Sequence, residues 1–384
     1  MRANSDIGAA VIGAGFIGSA HVEALRRLNI PVRGLLGRTH DGGSQRAGEL
    51  GVERAYASLE ELLADPAVAV VHVASPNALH FPQVRQILQA GRHVVCEKPL
   101  ATTSAESAVL AAEARAAGVV AAVNFNLRFY PINQHVRQLI AEGGIGVSRL
   151  FSGHYLQDWL LFDTDWNWRL EPEVGGELRA VADIGSHWLD LVAFLSGDRI
   201  SHVLADLATF IPVRRRPSGP TQTFAGARDG ATVDREIRSE DAASILVRFA
   251  SGARGAVTIS QVSPGRKNSL RYEIDGSVAA VAWDSERPDE LWVGHRDEPN
   301  QLLLRNPALM NRAGAAAAFL PGGHAEGFAD TFKAAFAAIY ADVAAGGPSA
   351  SPAYATFADG HDEMLVNDAI AESARTNTWA EVAR

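Results

Sequence analysis

Ala9-Ala10-Val11-Ile12-Gly13-Ala14-Gly15-Phe16-Ile17-Gly18 decides the fold of this chain. Four apolar residues run into glycines at 13, 15 and 18, and a helical pattern follows through Leu28. At such a strand–loop–helix junction each glycine has its own task. The first makes a tight turn, the second lets backbone approach an anionic group, and the third lets helix and strand pack closely. The helix N-terminus adds free N–H groups and the positive end of its dipole. With strand, loop and helix all in place, residues Gly13, Gly15, Phe16, Ile17 and Gly18 read as a dinucleotide pyrophosphate site rather than a plain tight turn.

Working outward, the same rhythm continues for about a third of the chain. Val32–Leu36 is a second strand, followed by a polar segment and a helix through Leu50. Val68–Ala74 is nearly all apolar, as expected of a strand covered on both faces. His93–Glu97 and Val119–Asn124 repeat the pattern, with the Ala-rich helix Ala105–Ala117 between them. Strands alternating with helices predict a doubly wound parallel sheet of the Rossmann type. After Asn126 the rhythm changes. β-like runs follow one another at Leu150–Gln157, His202–Ile211, Ala243–Phe249, Ala253–Gln261, Ser269–Trp283 and Glu290–Val293. Consecutive strands favour an antiparallel sheet. Helices are expected at Ser186–Leu195 and Glu326–Ala344, and Pro212–Arg238 reads as an exposed excursion. The expected fold is therefore α/β: an N-terminal Rossmann domain over 1–126, then an α+β domain over 127–384 with an open, mainly antiparallel sheet.

The bulk numbers agree with two domains for 384 residues. A hydrophobic share of 47% with 21% charged residues is an ordinary globular balance. The net charge of −9 argues against general affinity for nucleic acid or anionic membrane. Cys96 is the sole cysteine, which excludes an internal disulfide framework, argues against a cysteine-based metal site, and suits a reducing cytoplasm. Met1–Asp6 is short and polar, unlike a secretory signal. No window approaches the ~18 continuous apolar residues of a membrane span.

Past the second strand, where such folds often place an acid for the adenosine ribose, the chain reads Leu36-Gly37-Arg38-Thr39. Arg38 suits a 2′-phosphate, stacking on adenine, or a solvated loop. Both NAD and NADP stay open.

Three further motifs complete a pattern: Ser75-Pro76-Asn77 with His80, then Glu97-Lys98-Pro99, then Asp183-Ile184-Gly185-Ser186-His187-Trp188-Leu189-Asp190. With the glycine loop they make the chain resemble the glucose–fructose oxidoreductase, inositol dehydrogenase and rhizopine-catabolism family, Gfo/Idh/MocA, over nearly its whole length. The resemblance implies oxidation or reduction of a sugar, cyclitol or related carbonyl compound. It places the catalytic lysine at Lys98 and the acid and histidine at Asp183 and His187. It also implies that Ser75, Asn77, His80, Glu97, Lys98, Asn126, Trp168 and Arg169 surround the dinucleotide. The open second sheet implies a homo-oligomer, a dimer or tetramer. Gly37 departs from the family pattern, since many members carry an acid there.

The chemistry suits these residues. Removing hydride from a carbinol carbon requires a proton to leave the hydroxyl and the developing alkoxide to be stabilised. Lys98, at a strand's carboxyl end, can donate to that oxygen, and the ordinary pKa of His187 suits a proton acceptor. Asp183, four residues before His187, can share its side of a helix. Spacing alone equally allows Asp183 as a helix N-cap and His187 as a core residue; only the partnership with Glu97-Lys98-Pro99 favours catalysis. An Asp183/His187/Asp190 metal site lacks further ligands of diagnostic spacing, so no metal is expected.

Tyr155, Gln157 and Trp159 alternate along one strand and its exit, and Asp163–Arg169 is dense in aromatics and polar groups. That mixture suits a sugar ring, although the aromatics equally suit core. Asn124, Arg128 and Tyr130 follow the last Rossmann strand and, with His324, are weaker candidates for the same substrate cleft. Arg214-Arg215-Arg216 is the one basic triplet, read as a solvated loop or as a grip on an anionic substrate. The expected partner is a small polar molecule. The leading function is an NAD(P)-dependent sugar dehydrogenase or reductase. The alternatives are an NAD-dependent glycosidase working by transient oxidation, elimination and re-reduction, and a non-catalytic dinucleotide-binding regulator.

Overall fold

The computed structural model describes residues 3–219 and 231–384. The chain divides into two compact units, Met1–Asn126 with Phe328–Met364, and Leu127–Gly327 with Leu365–Arg384. A single division after residue 126 was the expectation. The difference lies in residues 328–364, which return to the first unit.

In the first unit, five short strands alternate with helices: β1 Ala9–Ile12, α1 Phe16–Arg27, β2 Val32–Leu36, α2 His40–Leu50, α3 Leu59–Ala64, β3 Val70–Val73, α4 His80–Gln89, β4 His93–Cys96, α5 Ser104–Ala117 and β5 Ala121–Val123. They pair in parallel in the order β5-β4-β3-β1-β2. Every residue of β1 and β3 is buried, which explains their unbroken apolar character. Helix ends follow local chemistry. The Thr39 and Thr103 hydroxyls accept from the Gly42 and Glu106 N–H groups, and Gly51 and Gly118 close α2 and α5 in the left-handed conformation. The returning segment has a physical reason to be here. The two-residue strand Ala355–Thr356 adds antiparallel to β5. The helix Phe328–Ala345 packs on α1, with the buried Phe332 and Phe336 against His21, while the buried Tyr340 reaches His72 of β3.

The second unit contains α6 Pro131–Ala141, β6 Leu150–Leu156, α7 Pro172–Gly175, α8 Ser186–Ser196, β7 Ile200–Ala208, β8 Val213–Pro217, β9 Thr232–Glu236, β10 Ala242–Phe249, β11 Arg254–Ser260, β12 Ser269–Asp275, β13 Ala280–Asp284, β14 Glu290–Gly294 and β15 Gln301–Leu304. With the strand Ala380–Glu381 at one edge, nine strands form one sheet in the order β15-β14-β13-β12-β6-β11-β10-β7 and then that edge strand. Only β6 and β11 pair in parallel. The run Ser269–Trp283, expected as one strand, is a hairpin of β12 and β13. The chain turns at Gly276, where a Cβ would sit 1.9 Å from the Ile145 carbonyl oxygen. On β10 and β11 burial alternates, so one sheet face is covered and the other open. Gly153 on β6 makes room for Trp188 of α8, whose indole N–H donates to the Arg271 carbonyl at 3.0 Å.

The excursion 212–238 is a correction in part. Its described ends pair as β8 and β9, while residues 220–230 lie outside the described residues. Arg214 is wholly buried, donating to Asp241 at 2.8 Å and to the carbonyls of Leu160 and Phe162. Arg215 pairs with Asp163 and Arg216 with Glu171. The triplet is therefore neither a solvated loop nor a free basic grip. Among the described residues no helix is long and apolar enough to cross a membrane.

Candidate active site

The glycine loop has the shape its spacing demands. Gly13 holds φ +92°, and a Cβ there would meet the Ala74 carbonyl oxygen at 2.4 Å. Gly18 lies so close to the β1 end that its Cβ would be 1.9 Å from the Gly13 oxygen. Gly15 is different: an added Cβ would meet no protein atom within 4 Å. Its bareness keeps open the space in front of the α1 N-terminus, where pyrophosphate oxygens can approach N–H groups. Arg46 braces the loop from α2, donating to the Ala14 carbonyl at 3.1 Å and the Ser19 hydroxyl at 2.7 Å. At the β2 end, the backbone of Gly43 would lie 2.7 Å from any Cβ on residue 37. An acid is therefore excluded there by packing, and Arg38 stands exposed beside it.

At the ends of β3 and β4 the motifs converge. The Ser75 hydroxyl donates to Gln83 at 2.6 Å, and Asn77 is nearly buried. His80, expected at the cofactor, is wholly buried with ring nitrogens 2.8 and 2.9 Å from the Pro99 and Ser75 carbonyl oxygens. Its ring ties two loops together rather than offering a nitrogen to a ligand. Glu97 accepts from His21 Nε2 at 2.9 Å and Asn124 Nδ2 at 2.6 Å, both on Oε1. Burial by itself raises the Glu97 carboxyl. The hydrogen bonds from His21 and Asn124 and the nearby positive charge more than offset this and hold it below the usual carboxylate range. Lys98 follows directly, half-buried and joined to Pro99 by a cis peptide. Asn126 donates to Thr331 at 2.7 Å and is itself buried.

The second unit gathers the other group. Asp183 lies in a five-residue π-helical turn, Val181–Gly185, that leads into α8; such turns recur at functional sites. Its carboxylate accepts from Arg169 Nε at 2.9 Å and Gln261 Nε2 at 2.8 Å. The N-cap alternative fails, because Asp183 lies inside that turn and Gly185 stands at the N-cap of α8. His187 follows on α8, with its ring 6.2 Å from that of Tyr155. The Tyr155 hydroxyl and Gln157 Nε2 both donate to Asn268 Oδ1 at 2.7 Å, and Trp159 donates to Gln157 at 2.7 Å. Burial pushes the Tyr155 phenol well above its usual value, so it serves as a neutral donor. Trp168 stacks on the Arg169 guanidinium at 4.4 Å. Part of the aromatic loop is core, since Trp159 and Trp166 pack on Leu160, Leu170 and Ile237.

Two profiles match this chain. "Oxidoreductase family, NAD-binding Rossmann fold" covers residues 7–125 and "GFO/IDH/MocA C-terminal domain" covers 133–282. Levoglucosan dehydrogenase of Pseudarthrobacter phenanthrenivorans is 31% identical over 387 residues, 97% of each chain. The chain belongs to the Gfo/Idh/MocA family. The crystallised levoglucosan dehydrogenase in complex with NADH and levoglucosan superposes with a TM-score of 0.87 at 29% identity, covering 98% of this chain and 100% of that one. An oxidoreductase domain protein from Kribbella flavida gives 0.88 at 31%, covering 99% and 100%. As a Gfo/Idh/MocA protein the chain is an NAD(P)-dependent oxidoreductase.

For a member of this family, several candidates sit in unexpected roles. Arg128 is turned into α8, where it forms a two-pronged buried pair with Asp190 and lies 4.7 Å over Phe194. That pairing accounts for Asp190, weighed above as a metal ligand. Tyr130 packs 4.9 Å from Trp283. His324 is exposed, with its carbonyl held by Arg305. Arg169, read from the resemblance as a cofactor neighbour, grips Asp183. Gln261 and Asn268 escaped the sequence reading altogether. Neither lies in a motif, and only the strand-end positions just after β11 and before β12 hinted at them.

Proposed function

We propose that the protein oxidises a ring hydroxyl of a neutral sugar or anhydrosugar to a ketone with NAD(P). The observation that carries this reading is the full-length likeness to levoglucosan dehydrogenase in a chain that also retains Lys98, Asp183 and His187. The open space at Gly15 and the α1 N-terminus suit the pyrophosphate. Once bound, the dinucleotide supplies the hydride acceptor. His187 takes the hydroxyl proton, and the Lys98 ammonium donates to the same oxygen as negative charge develops on it. Asp183, oriented by Arg169 and Gln261, stabilises the imidazolium one turn away and binds a further hydroxyl. Tyr155 and Gln157 line the sugar's approach. Pairing of all three arginines at 214–216 with acids supports a neutral substrate over an anionic one. The crowded Gly37 and exposed Arg38 support use of NADP alongside NAD. We further place the protein in the cytoplasm as a dimer or tetramer associating through the open sheet face.

A panel of sugars, anhydrosugars and aryl glycosides, with NAD or NADP, tests this. The expected result is reduced nicotinamide accumulating in step with an oxidised sugar. Aglycone release without net reduction would instead establish the glycosidase, and binding without turnover of any compound would establish the regulator.

A further inference from the structure

A row of polar side chains runs through the apolar middle of the first unit, and the chemistry proposed for Lys98 leaves it unexplained. Glu97, His21, His72 and Tyr340 come from β4, α1, β3 and the helix Phe328–Ala345, and three of the four have no exposed surface. They are joined in sequence. His21 Nε2 is 2.9 Å from Glu97 Oε1, His21 Nδ1 is 2.9 Å from His72 Nδ1, and His72 Nε2 is 3.0 Å from the Tyr340 oxygen. Around them stand Phe332 and Phe336, with rings 4.7 to 5.5 Å from the imidazoles, the Cys96 thiol, the Asn124 amide and the Lys98 ammonium.

Hydrogen-bond arithmetic fixes the protons. An ionised carboxylate only accepts, so His21 Nε2 carries hydrogen. The two Nδ1 atoms share one proton. The buried Tyr340 hydroxyl must donate to something, because an unsatisfied O–H in an apolar core is strongly disfavoured, and its partner among the described residues is His72 Nε2. His72 Nε2 is then bare, and His72, neutral, carries its hydrogen on Nδ1. That hydrogen points at His21 Nδ1, which must be bare in turn.

We infer that Tyr340, acting through His72, holds His21 neutral and so leaves the Glu97 carboxylate beside Lys98 without an imidazolium partner. Tyr340, His72 and His21 are positioning residues for charge. That negative charge sits beside the ammonium proposed to donate to the reacting oxygen. An imidazolium at His21 would cancel it. The same His21 sits on α1, the helix whose N-terminus faces the pyrophosphate, so the phosphate loop and the catalytic turn share one buried partner.

This rests on the proposed role of Lys98, but its first test does not need turnover. Long-range nitrogen–proton correlation spectra of the full chain with labelled histidine should show His21 as the Nε2–H tautomer and His72 as the Nδ1–H tautomer. Both should persist, without titrating, from about pH 6 to pH 9. A doubly protonated His21, or hydrogen on His72 Nε2, overturns the inference, whatever the enzyme does with sugars. Tyr340→Phe removes the bias. Its His21 should then take up a proton within that range, adding a new acid limb to kcat/KM. One pH unit below the new midpoint only about a tenth of His21 remains neutral, so kcat/KM should fall about tenfold there with sugar KM unchanged. A variant whose spectra and pH profile match the parent overturns it too. If that variant does not fold, the parent spectra alone decide.

Discussion

Gly15→Ala separates what the fold needs from what the ligand needs. Gly15 has φ −76° and ψ −165°, extended backbone open to any residue, and its added Cβ would touch no protein atom within 4 Å. Without ligand the substitution should therefore stabilise the protein by about 0.4–1 kcal/mol, through the less flexible unfolded chain. That is a rise of about 1–4 °C in Tm for a unit of this size. The methyl occupies the space where a phosphate oxygen must reach the backbone. Losing one charge-assisted hydrogen bond of about 1.5–3 kcal/mol should weaken dinucleotide binding about ten- to 150-fold. Gly13→Ala supplies the contrast: at φ +92° and 2.4 Å from the Ala74 oxygen, it should destabilise the free protein by more than the roughly 1–2 kcal/mol of left-handed strain. Scanning calorimetry of the free proteins and titration calorimetry with NAD and NADP give both numbers. Unchanged affinity in Gly15→Ala would refute the pyrophosphate placement, and a lowered Tm would refute the open space.

Lys98→Ala and His187→Ala should each lower kcat by about two or more orders of magnitude while calorimetric cofactor binding persists; near-normal turnover removes that residue from the mechanism. Arg38→Ala should weaken NADP far more than NAD, and equal effects would deny contact with a 2′-phosphate. Arg214→Ala leaves Asp241 paired with Arg179 alone and takes a buried donor from the Leu160 and Phe162 carbonyls, so it should cost about 1–3 kcal/mol in urea unfolding, whereas the exposed Arg215–Asp163 pair is worth less than about 1 kcal/mol. Equal stabilities would contradict the buried pair. Burial pushes His72 well below the usual imidazole value and His80 below it. Unfolded chains bind those protons near pH 6.5 and the folded chain does not. Stability should thus fall with pH below about 6.5, by up to about 1.4 kcal/mol per unit for each ring until its folded value is reached. Urea midpoints that stay level from about pH 7.5 to 5.5 would contradict this.

What could be read from sequence was what lies close in sequence. The glycine loop, Glu97-Lys98-Pro99 and the four-residue step from Asp183 to His187 each encode their geometry within one turn or strand end. Alternation likewise located the parallel strands. Contacts closed by folding left no local mark. His72 meets Tyr340 across 268 residues and Asn126 meets Thr331 across 205. Arg214 looked solvated because its partners, Asp241 and the carbonyls near residue 160, lie tens of residues away on either side. Arg128 likewise meets Asp190 with both prongs of its guanidinium across 62 positions. For long charged side chains such as these, the local sequence says nothing of which way they turn.

The return of residues 328–364 to the first unit has a consequence for synthesis. A nascent chain ending at residue 126 would already hold β1 to β5, yet β5 would present a bare edge and His21 and His72 would lack their aromatic cover and the Tyr340 hydroxyl. The usual order, in which an N-terminal domain folds as it leaves the ribosome, therefore cannot supply all of this unit's native contacts. The nucleotide unit can complete its core only after the nine-stranded sheet's main strands have been translated. A fragment cut after residue 126 would accordingly leave that strand edge and those two imidazoles uncovered.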